Sequence, residues 1–142
     1  MTNPPVFIVD TNVVVAGLIT APGASPVVAV LDAMLSGRLF YLVSPVLLQE
    51  YRTVLLRPKI AKLHGLGESE LDDVLTELTA NAIWREPHRS ASAPDRGDDH
   101  LWALLAAYES SILITGDRLL QANPPPDVHV ISPATWLETF AC

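Results

Sequence analysis

The fold is decided by the stretch Val6-Phe7-Ile8-Val9-Asp10-Thr11-Asn12-Val13, in which an apolar run leads directly into an acid. A second junction of this kind lies far downstream, where Ile112-Leu113-Ile114 is followed by Thr115-Gly116-Asp117. Short apolar runs rich in β-branched residues are typical of strands buried on both faces of a parallel sheet. Open α/β sheets bind ligands beyond the carboxyl ends of their strands, so Asp10 and Asp117 are predicted to lie at a functional edge.

Between these junctions the sequence alternates helix and strand signals. Three Ser-Pro pairs, suited to the N-cap and first positions of a helix, predict helices over 26–36, 45–56 and 133–140. Apolar spacing predicts further helices over 68–80 and 98–108, and strand candidates cover 6–9, 39–43, 82–85, 112–114 and 128–131. Residues 86–97 are predicted to be a polar loop. The order implies an α/β fold of three layers, α/β/α, with a mainly parallel sheet in a single domain over 1–142.

Composition excludes several classes of protein. Apolar residues make up 49% of the chain, which excludes a disordered protein. The sole cysteine is Cys142, so neither an internal disulfide nor a cysteine-based metal site is expected, and a reducing compartment fits. No signal-like segment and no apolar run of about 18 residues is visible, which predicts a cytoplasmic protein without a membrane span.

The net charge of −7 counts against a protein that coats nucleic acid. It leaves a nuclease open, because acids that bind a metal add to the negative count. The candidate contacts to phosphate groups are Arg52, Arg57 and Lys59, which fall with Lys62 in one short stretch, and Arg118 farther along the chain. Basic residues close together in a sequence are also common on solvated helix faces, which is the alternative interpretation.

Four acids are candidate metal ligands: Asp10, Glu50, Asp98 and Asp117. Each has a structural alternative, as a turn residue, a helix cap or a solvated helix residue. In a parallel sheet all four can converge on one edge. Hard oxygen ligands without cysteine or paired histidine favour Mg²⁺ or Mn²⁺ over Zn²⁺.

The residues around these acids suggest hydrolysis. Thr11, Asn12 and Thr115 would orient the carboxylates by hydrogen bonds, or would cap local backbone instead. The histidines have no ligand-type spacing and are interpreted as surface or core residues, His100 being the one near the acids. Metal ions activate water and stabilise a leaving oxygen, so the cluster predicts a metal-dependent phosphodiesterase.

The chain resembles the PIN-domain proteins found as toxins of bacterial toxin–antitoxin pairs, the VapC type. The matching stretches occur in the family's order over nearly the whole chain: Val9-Asp10-Thr11-Asn12-Val13, Ser44-Pro45 through Glu50-Tyr51, Arg57-Pro58-Lys59-Ile60, Asp95 through Asp98-Asp99, Ile114-Thr115-Gly116-Asp117 and Ile131-Ser132-Pro133.

The resemblance implies a Mg²⁺- or Mn²⁺-dependent endoribonuclease whose metal-binding acids are Asp10, Glu50, Asp98 and Asp117, with Asp99 in reserve. Leu119 stands where the family often has a further acid, so the resemblance does not decide between a site for one metal ion and a site for two. The family also implies a homodimer blocked by an antitoxin that inserts a basic side chain among the acids. The apolar helix 26–36, which exceeds what one sheet face needs, favours the dimer as well.

Two other functions remain open at this point. A haloacid-dehalogenase-like phosphatase also begins with an aspartate after an apolar strand, but Asn12 stands where its second acid is expected. A non-catalytic PIN-like module would act only through a protein partner, and the four intact acids argue against it.

Overall fold

The computed structural model describes residues 4–21, 23, 25–86, 99–108, 110–126 and 128–141. The strands are β1 (Phe7–Val9), β2 (Leu42–Val43), β3 (Ile83–Trp84), β4 (Ile112–Ile114) and β5 (His129–Ile131). The helices are α1 (Thr11–Ile19), α2 (Pro26–Leu35), α3 (Pro45–Leu55), α4 (Pro58–His64), α5 (Glu68–Asn81), α6 (Asp99–Ala107), α7 (Arg118–Ala122) and α8 (Pro133–Thr139).

The strands are parallel, as predicted. β4 lies between β1 and β5, and β2 pairs with β3. A parallel bridge between Phe7 and Tyr41 joins the two groups, which gives the spatial order β3-β2-β1-β4-β5. The chain therefore builds the sheet outward from β1 in one direction and then resumes beside β1 with β4. This reversal of strand order creates a crevice at the carboxyl ends of β1 and β4, where such sheets bind ligands.

The three-layer α/β/α architecture is confirmed. The central strands are buried on both faces: Ile8, Val9, Leu113 and Ile114 each have 0% exposure. Helices cover both faces of the sheet. Because its strands meet no water on either face, they are apolar at every position, as the sequence shows. Within the described residues, no helix is both long and apolar enough to cross a membrane.

The Ser-Pro helices and the two helices predicted from apolar spacing are confirmed with ends within one residue, while α1, α4 and α7 were not predicted. α1 was missed because its run of valines has the β-branched composition of a strand. α4 was missed because Pro58 was interpreted only as the end of α3, although proline equally suits the first residue of a new helix. The predicted loop 86–97 lies outside the described residues except at residue 86.

The apolar residues of α2 pack inside the chain itself. Val30 and Met34 are fully buried, and Val28 and Leu31 are 8% and 5% exposed. These four residues therefore pack within the chain, while Val27 is half-buried. The homodimer stays a prediction.

Helices α1 and α2 pack tightly against each other at Gly17. A Cβ atom at Gly17 would lie 2.9 Å from the Cβ of Leu31 and 3.0 Å from the carbonyl oxygen of Val27. Overpacking of this kind costs about 1–3 kcal/mol, against the roughly 1 kcal/mol by which alanine favours a helix interior over glycine. We expect Gly17→Ala to lower the free energy of unfolding, measured by urea denaturation. An unchanged or higher value would show that the helices separate at little cost.

Gly67 provides a matched control. It is the N-cap of α5, and the Glu70 carboxylate accepts from its backbone N–H at 3.1 Å. A Cβ here would meet only the end of the flexible Glu70 side chain, at 3.4 Å. Gly67→Ser completes a capping box and should raise the free energy of unfolding by a few tenths of a kcal/mol, so the two glycine substitutions should differ in sign.

Candidate functional site

An open cleft of about 500 Å³ lies at the carboxyl ends of β1 and β4. Three acids line it, each from a different part of the fold: Asp10 after β1, Glu50 on α3 and Asp117 before α7. The other lining residues are mostly apolar side chains of α1 and α3, together with one cation: Thr11, Asn12, Val15, Ala16, Ile19, Val54 and Arg57. The cleft thus combines carboxylates, an apolar wall and a positive charge.

Asp10 is held by hydrogen bonds to both carboxylate oxygens. Its Oδ1 accepts from the backbone N–H of Thr11 at 2.8 Å, which makes it the N-cap of α1. Its Oδ2 accepts from the Thr115 hydroxyl at 2.8 Å and from the Asn12 amide at 3.3 Å. Burial raises the pKa of Asp10, and the bonds from Thr115 and Thr11 oppose that rise. The carboxylate is therefore a partly desolvated anion whose orientation is fixed by its neighbours.

Asn12 and Thr115 join the two loops that follow β1 and β4. The Asn12 side chain accepts from the Gly116 N–H at 3.0 Å and donates to the Thr115 hydroxyl oxygen at 3.3 Å. That oxygen also accepts from the Asp117 N–H at 3.1 Å. Thr115 is fully buried, so its hydroxyl has a defined environment. The two loops, and the acids they carry, are consequently fixed relative to each other.

Glu50 enters the same cleft from α3. One carboxylate oxygen accepts from the hydroxyl of Thr11, and the other lies 3.3 Å from Nε2 of His100. The bond with His100 is the largest cause of the lowered pKa of Glu50; burial opposes it, and Thr11 reinforces it. Interpreting His100 as a surface or core residue missed this contact, because a lone histidine in a sequence carries no sign of its partner. Its ring nitrogen Nδ1 is buried and has no partner among the described residues.

Asp117 caps a helix and also lines the cleft. Its Oδ1 accepts from the N–H groups of Leu119 and Leu120 at 3.0 and 3.2 Å, which caps α7, and its side chain also lines the cleft. Leu119, in place of a possible further acid, is 78% exposed. Asp98 lies outside the described residues, and nothing is described of the Asp99 side chain, although α6 begins at that residue.

The four candidate cations do not lie together. Arg57 lines the cleft and helps to lower the pKa of Glu50. Arg52 is paired with Glu68 at 2.8 Å and Asp72 at 3.0 Å, in a separate groove between α3 and α5. Two positions along a helix differ by about 200°, so Arg52 points away from Glu50. Lys59 and Arg118 are exposed, on α4 and at the start of α7.

The donor chemistry of the cleft fits a hard divalent cation. Asp10, Glu50 and Asp117 present carboxylate oxygens, which Mg²⁺ and Mn²⁺ prefer. Among the described residues, however, no three His, Cys, Asp or Glu side chains are grouped closely enough to hold a metal by themselves. A complete site would need the carboxylates to draw together or a ligand from beyond the described part of the chain.

Comparison with known proteins agrees with this geometry. No match was found among curated proteins. The family model described as "PIN domain" matches residues 6–119, which include β1, β4 and all three acids of the cleft. PIN domains are generally nucleases and generally use divalent metal ions. The match spans well over half of the sequence, so the chain belongs to the PIN domain family.

Proposed function

We propose that this protein is a Mg²⁺- or Mn²⁺-dependent endoribonuclease that hydrolyses phosphodiester bonds of RNA. The observation that carries the proposal is the convergence of Asp10, Glu50 and Asp117 on one cleft. Family membership supports nuclease chemistry, and the arginine beside the acids supports a substrate that is itself an anion.

In this proposal Asp10, Glu50 and Asp117 hold the metal together with Asp98, and Asp99 is the alternative to Asp98. The metal would lower the pKa of a bound water and stabilise the leaving oxygen. The chain's own residues have separate tasks. Thr115 and Asn12 hold Asp10, Thr11 holds Glu50, and Arg57 offsets the charge of a phosphate group.

The RNA contacts are proposed to be few. Arg57 lies in the cleft, Lys59 stands two residues after it, and Arg118 directly follows Asp117 of the cleft; Lys59 and Arg118 are both exposed. Arg52 is the weakest of the four candidates, because two acids already pair with it on the opposite face of α3.

We further propose that the protein is the toxin of a toxin–antitoxin pair, a homodimer, and cytoplasmic. The toxin role and the dimer rest on the resemblance to VapC-type proteins. A cleft lined by three carboxylates would accept a lysine or arginine side chain from an antitoxin, since opposite charges attract strongly where water is partly excluded.

The test is cleavage of single-stranded RNA by the purified chain. We expect cleavage with Mn²⁺ or Mg²⁺ and its loss in excess EDTA, with recovery when the metal is restored. Asp10→Asn protein, purified in the same way, controls for contaminating ribonucleases. Cleavage that continues in EDTA and is absent from the Asp10→Asn preparation would contradict metal dependence, because the activity would then belong to this chain without a metal.

The alternatives make different predictions. The phosphatase interpretation loses support because the chain belongs to the PIN family. A non-catalytic module would bind no Mn²⁺ in calorimetric titration and would leave RNA intact. Measurable Mn²⁺ binding that disappears in Asp10→Asn would exclude that alternative.

A further inference from the structure

His100 and Glu50 are in contact, although they belong to two different helices. Nε2 of His100, in the first turn of α6, lies 3.3 Å from one carboxylate oxygen of Glu50, on α3. The His100 side chain is 13% exposed and that of Glu50 31% exposed. The contact is therefore shielded on the histidine side and open on the carboxylate side, which leaves Glu50 accessible from the cleft.

The second oxygen of Glu50 is also engaged. It accepts from the hydroxyl of Thr11, the first residue of α1. The two carboxylate oxygens are thus held by donors on two different helices, α1 and α6. A glutamate has three rotatable side-chain bonds and would otherwise sample several positions in an open cleft, so two donors restrict it substantially.

We propose that His100 is a positioning residue, which fixes the carboxylate of Glu50 so that it can act as a metal ligand. This inference rests on the proposed function and adds to it a residue that neither the sequence pattern nor the family match assigns. The lowered pKa of Glu50, whose first cause is His100, is consistent with a hydrogen bond that favours the carboxylate.

The alternative is that His100 only fills space at the base of α6. A space-filling residue would act through packing, and an apolar side chain of similar size would replace it. A positioning residue acts through one donor atom, so glutamine, whose side-chain amide reaches about as far as Nε2, would replace it better than leucine. The two substitutions separate these roles.

The first test compares His100→Leu with His100→Gln. Loss of a residue that orients a metal ligand typically costs 10- to 100-fold in metal affinity or activity. We expect His100→Leu to weaken Mn²⁺ binding and to lower kcat for RNA cleavage by about 10- to 100-fold, with KM unchanged. His100→Gln should recover most of both. His129→Gln, at an exposed histidine on β5, is the matched control and should behave as the parent. Leucine performing better than glutamine would overturn the proposal.

The second test shows whether His100 acts through Glu50. In a Glu50→Gln background, His100→Leu should produce no further loss of Mn²⁺ affinity or kcat, because contacting residues are not additive when one works through the other. Independent, additive losses would overturn the proposal.

A third measurement needs no metal and no activity. Nitrogen-15 spectra of the histidine rings should show a shift of the His100 Nε2 resonance in Glu50→Gln protein, while the His129 resonances stay in place. An unchanged His100 resonance would overturn the contact. If the parent cleaves no RNA, the proposed function fails, whereas this spectrum and the Mn²⁺ titrations still decide whether His100 positions Glu50.

Discussion

Asp10→Asn is expected to reduce RNA cleavage by at least about a hundredfold, at the upper end of the effects seen for groups that orient or bind a metal. The substitution keeps the shape of the side chain but removes one negatively charged carboxylate, a proposed metal ligand, from the lining of the cleft. Cleavage should be measured at saturating Mn²⁺, so that a weakened site is not mistaken for a lost one.

The same variant separates a ligand from a structural cap. Mn²⁺ bound only by the native state stabilises it by RT ln(1 + [L]/Kd), about 2.7 kcal/mol at a hundred times Kd. Added Mn²⁺ should raise the melting temperature of the parent and have much less effect on Asp10→Asn. Without metal the two should melt at similar temperatures, since removing a buried charge offsets a weaker hydrogen-bond acceptor. The contrary result is that Asp10→Asn melts far below the parent without metal and is still stabilised by Mn²⁺. That result would mean that Asp10 acts only as the cap of α1 and is not a metal ligand.

Thr115→Val is expected to cause the second large change. Valine matches threonine in shape but has no hydroxyl, and the hydroxyl of this fully buried residue donates to Asp10 and accepts from Asp117 and Asn12. Removing it takes a donor from the half-buried Asp10 carboxylate, at a cost of about 1–3 kcal/mol. Asn12 and Asp117 are exposed, so water can replace the bonds that they lose. We expect lower stability and a 10- to 100-fold loss of cleavage. Thr115→Ser, which restores the hydroxyl, should recover both.

The loss in Thr115→Val should also depend on pH. The Thr115 bond favours the ionised form of Asp10, whose folded-state pKa is raised by burial. Loss of the Thr115 hydrogen bond should raise the pKa of Asp10 further. An acid whose pKa is raised on folding destabilises the folded state only while the acid is ionised. The difference in unfolding free energy between parent and variant should therefore be fully present at neutral pH and shrink as the pH falls through the pKa of Asp10. A difference independent of pH would mean that Thr115 acts only through its neutral partners.

The sheet and the positions of two acids were predictable because they depend on local sequence. The runs before Asp10 and Thr115 are apolar at successive positions, which predicts strands buried on both faces of a parallel sheet. The polar residues that follow such strands lie at the carboxyl edge of the sheet. Ser44 and Ser132 cap α3 and α8 through the predicted side-chain bonds. Helix α1 was not predicted, because the valine run that follows the capping residue Asp10 favours a strand.

What the sequence did not show depends on long-range contact. His100 and Glu50 are fifty residues apart, and their pairing follows from how α6 packs beside α3. Arg52 is different, because its position could have been derived from sequence. It stands two residues after Glu50 on one helix, and that spacing alone places the two side chains on opposite faces.

The strand order has a consequence for how the protein is made. β4 completes the cleft, yet it is synthesised after β2 and β3, and Asn12 must wait for Gly116, 104 residues later, before the two loops can join. On a ribosome the nascent chain would carry Asp10 and Glu50 before Gly116 and Asp117 exist. The cleft is therefore complete only once residues 112–117 have left the exit tunnel, and its three carboxylates cannot act together before that point.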